Sequence, residues 1–179
     1  MIRTERLLLR QPQASDLDAL HQLWSNPKVM AQLGPVKDRR ESQETFARHC
    51  GYWKSGFGFW IVECGGGTAG FCGLKPGAPN TPIAGEIEAG WILGPEWWGR
   101  GLANEAMAAA LEWGWAHLRP SRIVAITSAG NVASRRLMVR LGMSEVADGA
   151  FDHPLFAVDD PRRATVTYAI AESGGDPAR

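Results

Sequence analysis

The sequence predicts an α+β fold in a single domain, and three observations carry that reading. Its 179 residues fall in the size range of one domain, about 100–200 residues. Apolar residues make up 45% and charged residues 21%, enough for one buried core; a disordered, collagenous or disulfide-knot chain is excluded. The hydrophobic period then switches repeatedly between 2 and 3.6, in the order β-α-α-β-β-β-α-β-α-β-β.

The elements follow in order. ERLLLRQ (5–11) is a strand. Ser15-Asp-Leu-Asp18 opens a helix with a carboxylate three residues on, and Leu17, Leu20, Leu23 and Trp24 continue at helical spacing until the Asn26-Pro27 breaker. A more polar helix is expected over 41–54. FGFWIVEC (57–64) and TAGFCGL (68–74) flank Gly65-Gly66-Gly67 as a β-hairpin, whose glycines read as a turn rather than a ligand loop. A Pro/Gly loop (75–85) leads to the strand EIEAGWIL (86–93). Residues 101–118 are strongly helical, with Glu105, Ala108 and Glu112 expected on one exposed stripe. RIVAIT (122–127) is a short apolar strand, and 132–141 is a helix closed by Gly142 in the C′ position. A strand near 144–147, an irregular acidic loop and a last strand at 164–171 follow, within a domain expected to span 1–172. Residues 173–179 are expected to fray.

Several function classes drop out. No run approaches about 18 apolar residues, so no membrane helix is expected, and MIRTERLLLRQ does not read as a secretory signal. Cys50, Cys64 and Cys72 are odd in number and lack C-x-x-C spacing, which suits reduced thiols in the cytoplasm. Zero formal net charge argues against a nucleic-acid binder. Neither metal-ligand spacing nor a Cys–His pairing is visible, so no metal is expected. The charge is uneven, however. Residues 96–143 carry a net +3 and residues 144–179 a net −4, which fits either a solvated helix face or a central segment set against a small anion.

The chemistry-bearing stretch is IEAGWILGPEWWGRGLANEAM, residues 87–107. A strand runs through Gly94-Pro95 into a loop with Gly99 and Gly101 and then directly into a long helix. Glycines let the backbone approach a ligand, and the first-turn N–H groups with the helix dipole form an anion cradle, to which Arg100 adds a charged donor. Neither Gly-Lys-Ser/Thr nor G-x-G-x-x-G is present, so this is not a Walker or dinucleotide loop. On the residues alone it stands open between a pyrophosphate cradle and a tight strand–helix connection.

Together with TERLLLR, GFGFWIVE, AGFCGL, NVASRRLMVRLGM and FDHP in the same order, this block resembles the GNAT superfamily of N-acetyltransferases, in its RimJ/RimL-type branch. The resemblance covers nearly the whole chain. It implies a mixed, mostly antiparallel twisted sheet flanked by helices, with acetyl-CoA in a V-shaped opening between two central strands. It implies a cradle of Trp98, Gly99, Arg100, Gly101, Leu102, Ala103 and Asn104. Trp98 departs from the polar residue often found there. Trp91, Ile92 and Leu93 would offer backbone groups to the pantetheine amides, and Asn131 and Ser134 would stand beside the same arm. The partners implied are acetyl-CoA and an amine; pairing into a homodimer is common among relatives.

Acetyl transfer needs a neutral amine. At pH 7 a lysine-like amine of pKa about 10.4 costs roughly 4.6 kcal/mol to deprotonate, and an α-amine of about 8 roughly 1.4 kcal/mol. Glu88 matches the family's carboxylate, and Glu86 falls on the same strand face by alternation; the pair would act as a base through water or attract an ammonium. The family's frequent tyrosine acid is Met138 here, which leaves Ser134 as the hydroxyl for the departing sulfur. Asn131 also reads as a helix cap. His153, in FDHP, is open between lining the acceptor pocket and stabilising a turn. The expected activity is N-acetyl transfer by direct attack, the alternative a degenerate domain that binds acyl-CoA without turnover.

Overall fold

The computed structural model describes residues 1–172; the expected frayed tail lies outside the described residues. The expected first strand forms over a shorter span as β2 (Leu7–Arg10), and an unexpected short strand, β1 (Ile2–Arg3), precedes it in a small hairpin, because Thr4 takes the Leu7 amide and turns the chain. Helix α1 (Leu17–Trp24) follows as expected. Asn26-Pro27 does not merely end it. The Asn26 side chain accepts the Lys28 amide and Pro27 occupies the first helical position, so the breaker starts a further turn, α2 (Pro27–Met30). Helix α3 (Arg39–Tyr52) begins two residues early, because Asp38 and Glu41 form a reciprocal capping box.

Strands β3 (Phe59–Cys64) and β4 (Gly67–Pro76) form the expected hairpin. Cys64 pairs with Gly67, leaving a two-residue loop of Gly65 and Gly66 at φ +58° and +83°, the backbone that a twisted hairpin turn requires. The glycine triplet is therefore a turn. Next come β5 (Ile87–Leu93), α4 (Leu102–Leu118), β6 (Ile123–Ser128) and α5 (Val132–Arg140). Two short strands, β7 (Ser144–Glu145) and β8 (Phe151–Asp152), precede β9 (Ala164–Ile170).

One mixed sheet runs β1-β2-β3-β4-β5-β6-β9-β7, with β8 also on β9, and every pairing is antiparallel except β5–β6. Helix α4 covers one face, where Leu74, Ala89, Leu93, Leu102, Met107 and Ile123 join the larger core. Leu20, Leu23 and Trp24 of α1 and Val29 and Met30 of α2 cover Phe59, Ile61 and Phe71 on the other face. Trp60 lies edge-on to Trp53 and Trp113, so most of the eight tryptophans serve packing. Ala108 and Glu112 are exposed on α4, but Glu105 is not part of an exposed stripe. Its carboxylate accepts from Thr4 Oγ1 (2.5 Å), the Arg6 amide (2.9 Å) and Arg6 Nε (2.6 Å), drawn in by the first hairpin.

Candidate functional site

The site begins with a failure of pairing. Strands β4 and β5 stay in register over seven residues, Ile87 to Leu93. Parallel β5 and β6 pair only at Ile87–Ile123 and Glu88–Val124. Beyond Glu88 the two strands diverge, so the stretch from Ala89 to Leu93 has one edge free of sheet partners. This is the V expected between two central strands, and Glu88 stands at its apex.

A cleft of about 420 Å³ occupies the divergence. It brings together Trp91, Ile92, Leu93, Trp98, Gly99, Gly101, Leu102, Ala103, Asn104, Asn131 and Ser134, eleven of the expected site residues. Gly99 and Gly101 have φ of +72° and +77°, a left-handed backbone that side chains disfavour. Gly101 caps α4, and the first intrahelical bond is donated by the Glu105 amide to the Gly101 carbonyl. The amides of Leu102, Ala103 and Asn104 thus have no partner within the helix and, with its dipole, favour an anion. Asn104 Oδ1 is buried in the same place without a partner. Acetyl-CoA fits this lining: orphan amides suit its pyrophosphate, and the free β5 edge suits the amides of its arm.

Arg100 departs from expectation. Its guanidinium lies over the Trp97 ring, 5.0 Å from the centroid, and is absent from the cleft lining. Cation–π attraction and an exposed position draw it aside. The loop is held instead by Arg6, whose Nη1 donates to the Arg100 carbonyl (2.9 Å) while its other groups hold Glu105. Burial acts to raise the Glu105 pKa, but the bonds from Thr4 and Arg6 outweigh it and hold the carboxyl below its usual range. Trp98, half exposed, donates its indole N–H to the Leu93 carbonyl (2.8 Å). That carbonyl is therefore already engaged, and Trp98 braces the end of β5.

Asn131 is a cap and a cleft residue at once. Its Oδ1 accepts the Ser134 amide (3.2 Å), and its Nδ2 donates to Thr127 Oγ1 (2.9 Å) and Ser134 Oγ (3.0 Å). Ser134 Oγ is thus an acceptor toward Asn131 and keeps its own proton to donate. Met138 is fully buried in the α4-side core, away from the cleft lining.

Glu88 is 7% exposed, and its carboxylate is ion-paired with Lys75, its neighbour across β4. The expected Glu86–Glu88 pair does not form. Glu86 precedes β5, closes a turn back to Ile83 and binds Arg122 (2.5 Å), so each carboxylate has its own cation. His153 is half-buried between Phe151 and Phe156, and its Nδ1 accepts the Leu155 amide. Burial holds its pKa below the ordinary value; the nearby charge of Glu88 opposes the shift and that of Lys75 adds to it. Of the two roles left open by the sequence, the structure shows the turn: the Leu155 amide is bound by His153, which is absent from the cleft lining.

Sequence reasoning missed the wall opposite the cradle. Lys28, Val29, Gln32 and Leu33, on and just after α2, line the cleft, and buried Ser128 of β6 donates its Oγ proton to Gln32 Oε1 (2.8 Å). Reading Asn26-Pro27 as a stop hid them; the Asn-Pro cap signature was the available signal. Trp97, Ala133, Leu137 and Arg140 complete the lining.

Residues 6–144 match the family model described as an acetyltransferase (GNAT) domain. The chain belongs to the GNAT acetyltransferase family. By membership it is an acetyl-CoA-dependent acetyltransferase, and the sheet carries the expected GNAT arrangement. A Bacillus subtilis relative, the uncharacterised protein YkkB, is 31% identical over 147 residues, 78% of this chain and 83% of its own. An acetyltransferase from Agrobacterium tumefaciens is similar in structure, with a TM-score of 0.77 and 27% identity over 96% of this chain and 94% of that one. A spermidine N-acetyltransferase from Vibrio cholerae, solved with CoA and spermine, shares the fold at a TM-score of 0.74 and 20% identity, covering 94% of this chain and 96% of its own.

Proposed function

We propose that this GNAT protein is an N-acetyltransferase of the RimJ/RimL type, moving acetyl from acetyl-CoA to a primary amine by direct attack in a ternary complex. The acceptor is a small molecule or a protein N-terminus. The observation that carries the reading is the continuity of one cleft from the orphan amides of α4 to the open edge of β5. Gly99, Gly101 and the amides of Leu102, Ala103 and Asn104 hold the pyrophosphate, while Trp91 and Ile92 line the arm. Acetyl-CoA supplies an acyl group on a thiol leaving group. The neutral amine forms the N–C bond as the C–S bond breaks, and the proton lost by nitrogen returns to the thiolate. Ser134 Oγ is placed to donate a hydrogen bond to that sulfur. Three unpaired cysteines suit a reducing compartment, and we place the protein in the cytoplasm on that ground.

The non-catalytic reading has its own support: Met138 replaces the usual acid, and Glu88 is already paired. A CoA-release screen across α-amino, lysine-like, polyamine and aminoglycoside acceptors decides between the two. Release with one amine class establishes turnover. A CoA-induced rise in melting temperature with no release for any amine establishes the binding module instead.

A further inference from the structure

The floor of the V carries a charge arrangement that the transfer reaction by itself does not require. On the sheet face away from α4, three cross-strand pairs follow one another: Phe71–Ile92, Gly73–Gly90 and Lys75–Glu88. The Phe59 ring lies on Gly90, where an added Cβ would come within 2.7 Å of its Cζ, so the ladder is roofed by an aromatic ring up to the ion pair. Glu88 is buried and the Lys75 side chain is only 18% exposed. None of the described residues lining the cleft is Asp or Glu, and its two charged side chains, Lys28 and Arg140, are basic. Glu88 is therefore the nearest carboxylate to the diverging strands along β5, and its charge is already matched.

Building on the N-acetyltransferase reading above, we propose that Lys75 determines acceptor specificity. By holding Glu88 as a buried ion pair, it withholds the carboxylate that a strongly basic amine needs, and restricts transfer to amines of lower basicity such as α-amines. A cationic amine meets a neutral pair instead of a free negative charge, and finds no free carboxylate to take its proton. The other titratable groups near the pair are weakened as bases. Burial, with the charge of Lys75, holds the His153 pKa below its ordinary value against the opposing charge of Glu88. His49 of α3 feels Lys75, Lys37 and Arg48, all positive. At pH 7 an amine of pKa about 10.4 is roughly 250-fold less available in neutral form than one of about 8. A site with no free carboxylate leaves most of that difference uncorrected. Removing the Lys75 charge would leave the buried Glu88 carboxylate unpaired and free to accept a proton. Glu88 would then take the proton from the ammonium before the free amine attacks.

The experiment compares kcat/KM for an N-terminal alanyl peptide amide, Nα-acetyl-lysine amide and spermidine at pH 7.5. The wild type is expected to favour the α-amine by about tenfold or more. Lys75→Met should move the ratio toward the two basic amines by about tenfold and add to their pH profile an ascending limb absent from the wild type. Lys75→Arg should keep the wild-type ratio, and Lys75→Met combined with Glu88→Gln should lose the gain. Losing one partner of a buried pair is destabilising, so a CoA-induced melting shift confirms that each variant is folded. A wild type that prefers spermidine or the lysine amine overturns the proposal even if no variant folds. An unchanged ratio in folded Lys75→Met overturns it as well. Transfer to no amine by a wild type that still binds CoA overturns the parent reading, and this one with it; transfer with the wrong preference overturns this one alone.

Discussion

The two sides of the V are built by different means. On the side proposed for the donor, backbone supplies the features: two glycines at positive φ, three orphan amides at the start of α4 and the unpaired edge of β5. On the side proposed for the acceptor, side chains from distant segments meet instead: Lys75 with Glu88, and His153 from the loop before β9. A backbone site depends on local sequence, because glycine placement and a helix start can be read along the chain. A side-chain site depends on which strands become neighbours, and it changes with single substitutions. The donor side is thus suited to one shared cosubstrate, and the acceptor side to variation.

The contrast is broken most severely at Gly101. Its φ of +77° strains any side chain, although the space around it is open, with the nearest atom to an added Cβ being Arg6 Nη2 at 3.6 Å. Gly101→Val should weaken CoA binding by about a hundredfold or more, because a branched side chain disturbs both the cap and the approach of backbone to phosphate. Loss of the CoA-induced melting shift checks it; an unchanged shift would place the cradle elsewhere.

A smaller effect is expected at Ser134. A general acid is worth typically 10²–10⁴-fold, whereas a lost neutral hydrogen bond of about 0.5–1.5 kcal/mol costs roughly 2- to 13-fold. A thiol of pKa about 8.5 leaves tolerably well as thiolate, so Ser134→Ala should lower kcat within the smaller range and leave CoA affinity nearly intact. A loss beyond a hundredfold in kcat would make Ser134 a true acid. Asn131→Ala should lower stability by about 1 kcal/mol through loss of the α5 cap, measured by denaturant unfolding. An unchanged midpoint would mean that the Thr127 and Ser134 contacts contribute nothing to the fold.

The finest distinction is in acid stability. Burial among Trp24, Phe59 and Phe71, with the positive charges of Arg48, Lys75 and Lys37 around it, pushes the His49 pKa down to about 3 from an ordinary 6.5. The unfolded chain takes up this proton below about pH 6.5, while the folded chain refuses it until near 3. The stabilising contribution is therefore full above 6.5 and falls as the pH drops toward 3. His49→Phe should flatten the decline of melting temperature between pH 7 and pH 5. An equal slope in both proteins would assign that decline to other groups.

What the sequence determined by itself is mostly what is local. Periodicity placed the principal strands and helices. The Gly99–Asn104 block, Arg100 excepted, with Asn131 and Ser134 marked residues that share one cleft, since cradles and caps are made of neighbours along the chain. Tertiary structure decided the rest. Glu105 left the exposed stripe because the first hairpin reaches it. Arg100 turned onto Trp97, while Arg6, nearly a hundred residues away, holds the loop. Asn26-Pro27 signals both the end of one helix and the start of another, and only packing of Val29 and Met30 under α1 selected the second. Glu88 was found from the sequence, but not its state. Lys75 lies thirteen residues earlier, across a loop whose length does not reveal the register. Register is a property of the assembled sheet, so the sequence could name the carboxylate while only the fold supplied the cation that neutralises it.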